Sequence, residues 1–381
     1  MPEQTSDRSA VARRGVLLLV AVVVLVVAVA VVVIVGSGDG DDGVSVRREA
    51  SLAGPLFGVA ETVVQLDDGR VAVGNENLWT LDPDQPSNLP PEEIRRYGDS
   101  IRALVVLDGD RLASAGPAED ITLWDVAGRV EEIGTLVGHE SPVTAAVALD
   151  DGRLATGDEG GVVRLWETGS GTGTVLGGHA AAVVELSVTG EGRLVSAAAD
   201  GAVFVWDLAS PDEEPVVLGP GGAAVLAVES VDANRIATMN ADGIVRISDT
   251  ADPDAPVLRW ELPADPSVQG RHSLAVLDRG LLAAAGSDGV VSVWDLDAPE
   301  ASPTLIDTGA DGPAAVLGMG DDRLLTGSAE GTVQLWHLAT PSSPVVNIDA
   351  HDGPVHGLHP LAEDGFATVG ADGRVAVWVL D

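Results

Sequence analysis

The order of apolar and polar residues divides the chain into two unequal parts. Residues 16–35 are an unbroken run of valine, leucine, alanine and isoleucine, whereas from residue 44 onward short apolar stretches alternate with polar positions. The second pattern is typical of half-buried β-strands, and Asp-Gly-Arg turns such as residues 68–70 and 151–153 separate the stretches. We therefore predict an all-β domain over residues 44–381, preceded by one apolar helix.

The apolar run has the length of a membrane-spanning helix. Twenty helical residues would rise about 30 Å, which matches the hydrocarbon core of a bilayer. Residues 1–15 form a short tail that contains three arginines, and residues 36–43 form a flexible linker of glycine, serine and aspartate. Because basic residues favour the cytoplasmic side, we predict a single-pass cell-membrane anchor with a cytoplasmic N-terminus and an extracytoplasmic β-domain. A cleaved signal peptide is the alternative, although no A-x-A-like site ends the run.

Internal repetition indicates how the strands are organised. Seven strand-end tryptophans recur along the domain, and Ser248 fills the gap between the fourth and the fifth. The spacing between successive members is 40–46 residues, the size of a four-stranded propeller blade. We predict an eight-bladed β-propeller, with seven blades as the alternative. The tryptophans are Trp79, Trp124, Trp166, Trp206, Trp294, Trp336 and Trp378.

Two of the repeats carry a four-residue motif at identical spacing. They comprise His179, Ser196, Asp200 and Trp206, and His351, Thr368, Asp372 and Trp378. This motif resembles that of WD-repeat propellers, and the resemblance implies a hydrogen-bonded network inside each blade. A third repeat has His139, Thr156 and Trp166 at matching positions but Gly160 in the aspartate position. The resemblance covers nearly all of residues 44–381.

The two ends of the domain predict how the ring closes. Trp378 lies three residues from the C-terminus, so the last repeat stops after its third strand. Val44–Leu52 alternates like a strand and has no partner in its own repeat. We predict that this segment supplies the outer strand of the last blade, which would protect an exposed edge.

Charge and residue types limit the possible chemistry. The net charge of −38 repels phosphate backbones, so nucleic acid is not an expected partner, and the absence of cysteine excludes thiolate chemistry. A His-Ser-Asp set resembles a catalytic triad, but recurrence at repeat spacing favours a structural role. His351, His356 and His359 are close in sequence, yet strand alternation separates the last two. We predict no enzyme activity, no metal and no cofactor.

Relatives of this kind bind proteins or peptides, so the resemblance implies a non-catalytic interaction scaffold displayed from the membrane. A quinone-dependent dehydrogenase is one alternative, and an envelope assembly factor is a second. Loops that precede the first strand of each blade are the expected contact surface. Candidate partner contacts there are Tyr97, Asp99, Glu140, Ser141, Arg271, His272 and Asp352.

Overall fold

The computed structural model describes most of the predicted β-domain. The described residues are 45–380, apart from 53–61, 84–91, 98–99, 108–109, 119, 190–191, 219–221, 254–257, 263–272, 311, 321 and 363. Residues 1–15, 16–35 and 36–43, and with them the predicted anchor and linker, lie outside the described residues. No helix among the described residues is long and apolar enough to cross a membrane.

The described residues form eight antiparallel sheets of four strands each. From blade 1 to blade 8 the first strand of each blade contacts the first strand of the next, so these strands are the innermost of the ring. The inner strands of blades 1 to 8 are β2 (Thr62–Gln65), β6 (Ala103–Val106), β10 (Val143–Ala148), β14 (Val183–Val188), β18 (Val225–Ser230), β22 (Leu274–Leu277), β26 (Pro313–Gly318) and β30 (Val355–Pro360).

Each inner strand is followed by a second and a third strand that lie in the body of the blade. The second strands are β3 (Val71–Gly74), β7 (Arg111–Ala115), β11 (Arg153–Asp158), β15 (Leu194–Ala198), β19 (Arg235–Asn240), β23 (Leu281–Ala285), β27 (Arg323–Ser328) and β31 (Gly365–Gly370). The third strands are β4 (Asn77–Leu81), β8 (Ile121–Asp125), β12 (Val162–Glu167), β16 (Val203–Trp206), β20 (Ile244–Asp249), β24 (Val290–Asp295), β28 (Thr332–His337) and β32 (Val375–Leu380).

The outer strands complete the blades at the rim of the ring. They are β5 (Glu92–Arg96), β9 (Glu131–Leu136), β13 (Thr172–Gly178), β17 (Val216–Val217), β21 (Leu258–Glu261), β25 (Thr304–Asp307), β29 (Val346–Asp349) and, for blade 8, β1 (Val46–Leu52). A single-turn 3₁₀ helix, Asp278–Gly280, links β22 to β23. We call the side with the turns between second and third strands the upper face, and the side with the turns between first and second strands the lower face.

The N-terminal strand closes the ring as the sequence predicts. β1 pairs antiparallel with β32, so that Val46 lies opposite Leu380 and Ala50 opposite Val377. Side chains of blade 8 and blade 1 then share one buried cluster, which contains Ala50, Val377 and Val63. The prediction of eight blades, and of a closing strand at the start of the domain, is confirmed.

Arginine side chains on the lower face link consecutive blades. Arg111 in blade 2 donates to the Thr168 hydroxyl of blade 3 over 3.3 Å, and Arg193 in blade 4 donates to Thr250 of blade 5 over 3.2 Å. Arg70, Arg153 and Arg323 begin or precede the second strand of their blades in the same way, and each contacts the next blade. We call these contacts the arginine clamps. Among the described residues they link blades 1 to 5 in series, and blade 7 to blade 8.

Candidate functional site

The four-residue motifs assemble inside the blades as the resemblance implies. In blade 8 the Trp378 Nε1–H donates to Thr368 Oγ1 over 3.0 Å, and Thr368 Oγ1 lies 2.8 Å from His351 Nε2. His351 Nδ1 lies 3.0 Å from a carboxylate oxygen of Asp372. Blade 4 repeats the arrangement with Trp206, Ser196 and His179, although His179 Nδ1 stands 3.6 Å from Asp200.

Blade 3 holds a complete network too, which corrects one sequence prediction. Gly160 occupies the expected aspartate position, but Asp158, two residues earlier, takes the role instead. Asp158 Oδ2 lies 2.7 Å from His139 Nδ1, and its other oxygen accepts the backbone N–H of Val162. His139 Nε2 lies 2.6 Å from Thr156 Oγ1, which also accepts the Trp166 indole N–H.

The donor and acceptor order accounts for every polar atom of the blade 3 network. A carboxylate can only accept, so the proton of the neutral His139 ring lies on Nδ1 and leaves Nε2 as an acceptor. Thr156 then donates its hydroxyl proton to Nε2, and its oxygen accepts the Trp166 indole N–H. The hydroxyl-bearing residues Thr156, Ser196 and Thr368 are each 0% exposed. A substrate cannot reach these oxygens, so the triad-like geometry is a structural network.

The imidazoles are held neutral by their surroundings. Burial lowers the pKa of His139, His179 and His351, and this effect outweighs the carboxylate beside each ring, which raises it. His179 also stacks on Phe204, with ring centroids 4.1 Å apart. A neutral ring suits the hydrogen-bond order above, because one nitrogen must accept.

Tyr97 belongs to a network of the same kind in blade 2. Its hydroxyl lies 2.7 Å from Ser114 Oγ, which accepts the Trp124 indole N–H over 2.8 Å. Tyr97 precedes Ser114 by 17 residues, the same separation as His139 and Thr156. Tyrosine therefore takes the histidine position here. The 27-residue separation from Tyr97 to Trp124 was visible in the sequence and equals that from His179 to Trp206.

Four other blades depart from the motif. In blade 5 Ser248 lies opposite Ile236, in the position that tryptophan holds elsewhere. In blade 7 Trp336 still donates to Thr326, over 3.0 Å. In blade 6 Ala284 offers no hydroxyl, and Trp294 stacks on Trp260 with centroids 5.0 Å apart. In blade 1 Trp79 pairs with Val73, and Leu81 occupies the position that tryptophan holds elsewhere, so the prediction that Trp79 ends this repeat was wrong.

The predicted contact residues that the structure describes lie in the loops that lead into three different blades. Glu140 and Asp352 are exposed in loops that lead into blades 3 and 8, and Ser141 is half-buried beside Glu140. Asp352 pairs with Arg374 over 2.8 Å. Asp99, Arg271 and His272 lie outside the described residues. Among the described residues no group of three or more histidine, aspartate or glutamate side chains is arranged to hold a metal.

A half-buried carboxyl group, Glu229, lies on the inner strand of blade 5. Burial raises the pKa of Glu229 to about 7, from an ordinary value of 4.5. Within the described residues its side chain has no hydrogen-bond or ion-pair partner. The neighbouring inner-strand carboxylate, Glu185, differs because it accepts the Val228 backbone N–H over 2.8 Å.

Glu229→Gln is expected to make the protein more stable at high pH. A raised folded-state pKa contributes stability below the ordinary value, and that contribution is lost as the pH rises through about 7. The variant should therefore exceed the wild-type unfolding free energy by up to about 3 kcal/mol near about pH 8, and by less near about pH 5.5. Urea unfolding at both pH values measures this. The exposed control Glu140→Gln should change stability by less than about 0.5 kcal/mol, and a pH-independent difference for Glu229→Gln would contradict the prediction.

Comparison with known proteins identifies the repeats. Residues 130–167 and 171–207 match the family model described as WD domain, G-beta repeat. The SIR4-interacting protein SIF2 of Saccharomyces cerevisiae is 27% identical over 104 residues, which are 27% of this chain and 19% of that protein. The ribosome biogenesis protein YTM1 of Candida glabrata is 28% identical over 142 residues, 31% of each chain. The chain thus spans less than a third of the length of these relatives.

Solved structures share the whole ring. Sqt1 from Chaetomium thermophilum superposes with a TM-score of 0.71 at 18% identity, over 84% of this chain and 96% of that one. The computationally designed Ika8 protein gives a TM-score of 0.67 at 20% identity, over 85% and 96% of the two chains. At these identities the likeness shows the fold alone. The chain is an eight-bladed propeller in which two repeats match the WD-domain family model.

Proposed function

We propose that this propeller is a non-catalytic platform that binds protein or peptide partners through its upper face. The observation that carries the proposal is that the motif residues with catalytic potential are sealed inside the blades. The side chains of His139, His179 and His351 are each 0% exposed. What the ring offers to solvent is a set of loops held by rigid blades, a common arrangement for recognition surfaces.

The relatives support the same class of function. SIF2 is named for its interaction with another protein, and YTM1 is named for its role in ribosome biogenesis. For this chain we carry over only the ability to bind protein. The process it serves is not part of the proposal, because the matched segments are a minor part of those proteins.

Glu140 is the upper-face residue best suited to a test. It is exposed and lies directly after His139, whose network fixes the loop. Glu140→Arg reverses the charge on the upper face, and the matched control Glu167→Arg does so at an exposed site on the lower face. Neither side chain has a hydrogen-bond or ion-pair partner in the described part of the chain. Because Glu167 lies opposite Arg153 in blade 3, thermal unfolding of both variants first checks that they fold like the wild type.

The experiment is a pull-down with the full chain in detergent, followed by quantification of each captured protein. We expect at least one partner that the wild type and Glu167→Arg retain equally and that Glu140→Arg loses by about tenfold or more. If Glu167→Arg loses every partner while Glu140→Arg keeps them, binding uses the lower face and the proposal fails.

We further propose that residues 16–35 anchor the propeller in the cell membrane, with the N-terminus cytoplasmic. The proposal rests on the apolar length of that segment and on the arginines before it. The mass of the protein extracted from membranes should correspond to an intact N-terminus. A soluble product that begins near residue 37 would show cleavage and contradict the anchor.

A further inference from the structure

The seam between blades 8 and 1, the place where their lower-face turns meet, has no arginine clamp. Within the described residues two further seams differ from the clamp pattern. Arg235 of blade 5 pairs with Asp232 of its own blade, and blade 6 has Leu281 in the clamp register, while Arg279 pairs with Asp322 of blade 7. The seam between blades 8 and 1 is the one considered below, because a cavity lies beside it.

The register shows which residue replaces the arginine in blade 8. Arg153 begins the second strand of blade 3 opposite Glu167, and Arg323 begins that of blade 7 opposite His337. In blade 8 the residue with the same register is Gly365, opposite Val379. This turn therefore has no arginine in the clamp position, and it contacts blade 1 through Leu361, which packs on the shared cluster, and through the Ala362 N–H, which donates to Gln65 Oε1.

The acceptor side of the same seam is in place. In blades 2 and 4 the carbonyls of Val126 and Leu208, each two residues beyond the strand-end tryptophan, accept an arginine clamp. Leu81 holds the tryptophan position in blade 1, so Pro83 is the corresponding residue. The seam between blades 8 and 1 thus has the acceptor residue, Pro83, but no arginine that donates to it.

A cavity of about 690 Å³ lies at this place, and both Gly365 and Pro83 line it. Its volume falls in the range of ligand-binding sites in proteins, which is about 300–1,000 Å³. Gln65 and Asp67 of blade 1 and Glu49 of β1 add polar groups to its wall. The ring therefore has an open, polar pocket where other seams hold a guanidinium group.

The charges around the cavity suit a cation. Glu49 and Asp67 contribute two carboxylates, and Arg47 contributes one positive charge that pairs with Glu49 over 2.9 Å. Asp67 is exposed and has no partner among the described side chains. A guanidinium presents five N–H donors in one plane, so it can contact a carboxylate and a carbonyl together, as the clamps do at other seams.

We propose that this pocket binds the arginine side chain of a partner protein, whose guanidinium takes the missing clamp position between blades 8 and 1. The pocket lies on the lower face, so this site is separate from the upper-face surface proposed above. A bound arginine would also join the first and last blades, and partner binding would therefore stabilise the closed ring.

The test measures calorimetric binding of N-acetyl-arginine amide to the full chain in detergent. N-acetyl-lysine amide and spermidine serve as cations without the planar fork. We expect arginine amide to bind about tenfold more tightly than either of them. Asp67→Asn should weaken arginine binding several-fold. Glu140→Arg should leave it unchanged, so that failure of this site and failure of the upper-face proposal give different results.

A second variant fills the pocket from within. Gly365→Arg restores the missing residue in a turn of the same shape as that of blade 7, since Asp364 and Asp322 both have φ 60°. The variant should abolish arginine-amide binding and raise the melting temperature. A Cβ at residue 365 would lie 2.9 Å from the backbone oxygen of Ala362, which is a close contact. If Gly365→Arg does not fold for this reason, arginine binding by Asp67→Asn tests the pocket.

Equal binding of the arginine and lysine amides would overturn the proposal. Tighter binding of spermidine would also overturn it, because the pocket would then be a site for small polycations. Unchanged arginine binding in Asp67→Asn and in folded Gly365→Arg would place the ligand elsewhere on the protein.

Discussion

Deletion of residues 46–52 is expected to lower the unfolding free energy by on the order of 5 kcal/mol and to produce oligomers. The segment is β1, the outer strand of blade 8, and its Val46 and Ala50 are each 2% exposed. Its loss removes a backbone ladder with β32 and uncovers the cluster shared by blades 8 and 1. The unpaired edge of β32 would then be free to pair with another chain.

Thermal unfolding and size-exclusion chromatography of the detergent-solubilised protein measure both effects. Deletion of residues 211–214, a largely exposed turn before the outer strand of blade 4, is the control and should leave the protein monodisperse. If the two deletions cost the same stability and neither associates, then β1 does not close the ring.

Thr156→Val should have the second-largest effect, a loss of about 3–5 kcal/mol of unfolding free energy. Valine has nearly the shape of threonine but cannot accept the Trp166 N–H or donate to His139. Both partner atoms then remain buried without a hydrogen bond, and each such atom costs about 1–3 kcal/mol. The expected result is a destabilised blade 3 with unchanged binding of any upper-face partner at low temperature.

Thr332→Val is the matched control for this substitution. Thr332 begins the third strand of blade 7, is only half-buried, and its hydroxyl makes no hydrogen bond within the described residues. Urea unfolding should show a change below about 0.5 kcal/mol for this variant. A similar small change for Thr156→Val would mean that the networks do not hold the blades together, and loss of a measurable activity without loss of stability would favour a catalytic role.

The sequence was sufficient for the architecture because propeller repeats obey a strict period. The 40–46 residue spacing gave the number of blades, and the truncated last repeat gave the closing strand. The residue type misplaced the end of the first repeat, because Trp79 is a tryptophan near the expected spacing, whereas the register of blade 1 puts Leu81 in the position of Trp166. The register of the hairpin, and not the distance along the chain, decides which residue ends the repeat.

The site was less predictable, because side-chain contacts depend on positions in three dimensions. Asp158 lies 19 residues after His139, whereas Asp372 lies 21 residues after His351. A search at the spacing of Asp372 therefore misses Asp158. The arginine clamps join residues that lie about one blade apart, with 57 residues between Arg111 and Thr168. Only the assembled ring shows that these arginines form a series and that Leu281 and Gly365 interrupt it.

The closed ring is the basis of both the platform and the lower-face pocket, and a disulfide cross-link tests it most directly. The natural chain has no cysteine, and Arg47 lies opposite Val379 in the register of β1 and β32. The double variant Arg47→Cys/Val379→Cys should form a disulfide in the folded full-length protein, and the single variants should keep free thiols. Free thiols in the folded double variant would contradict closure of the ring by its N-terminal strand.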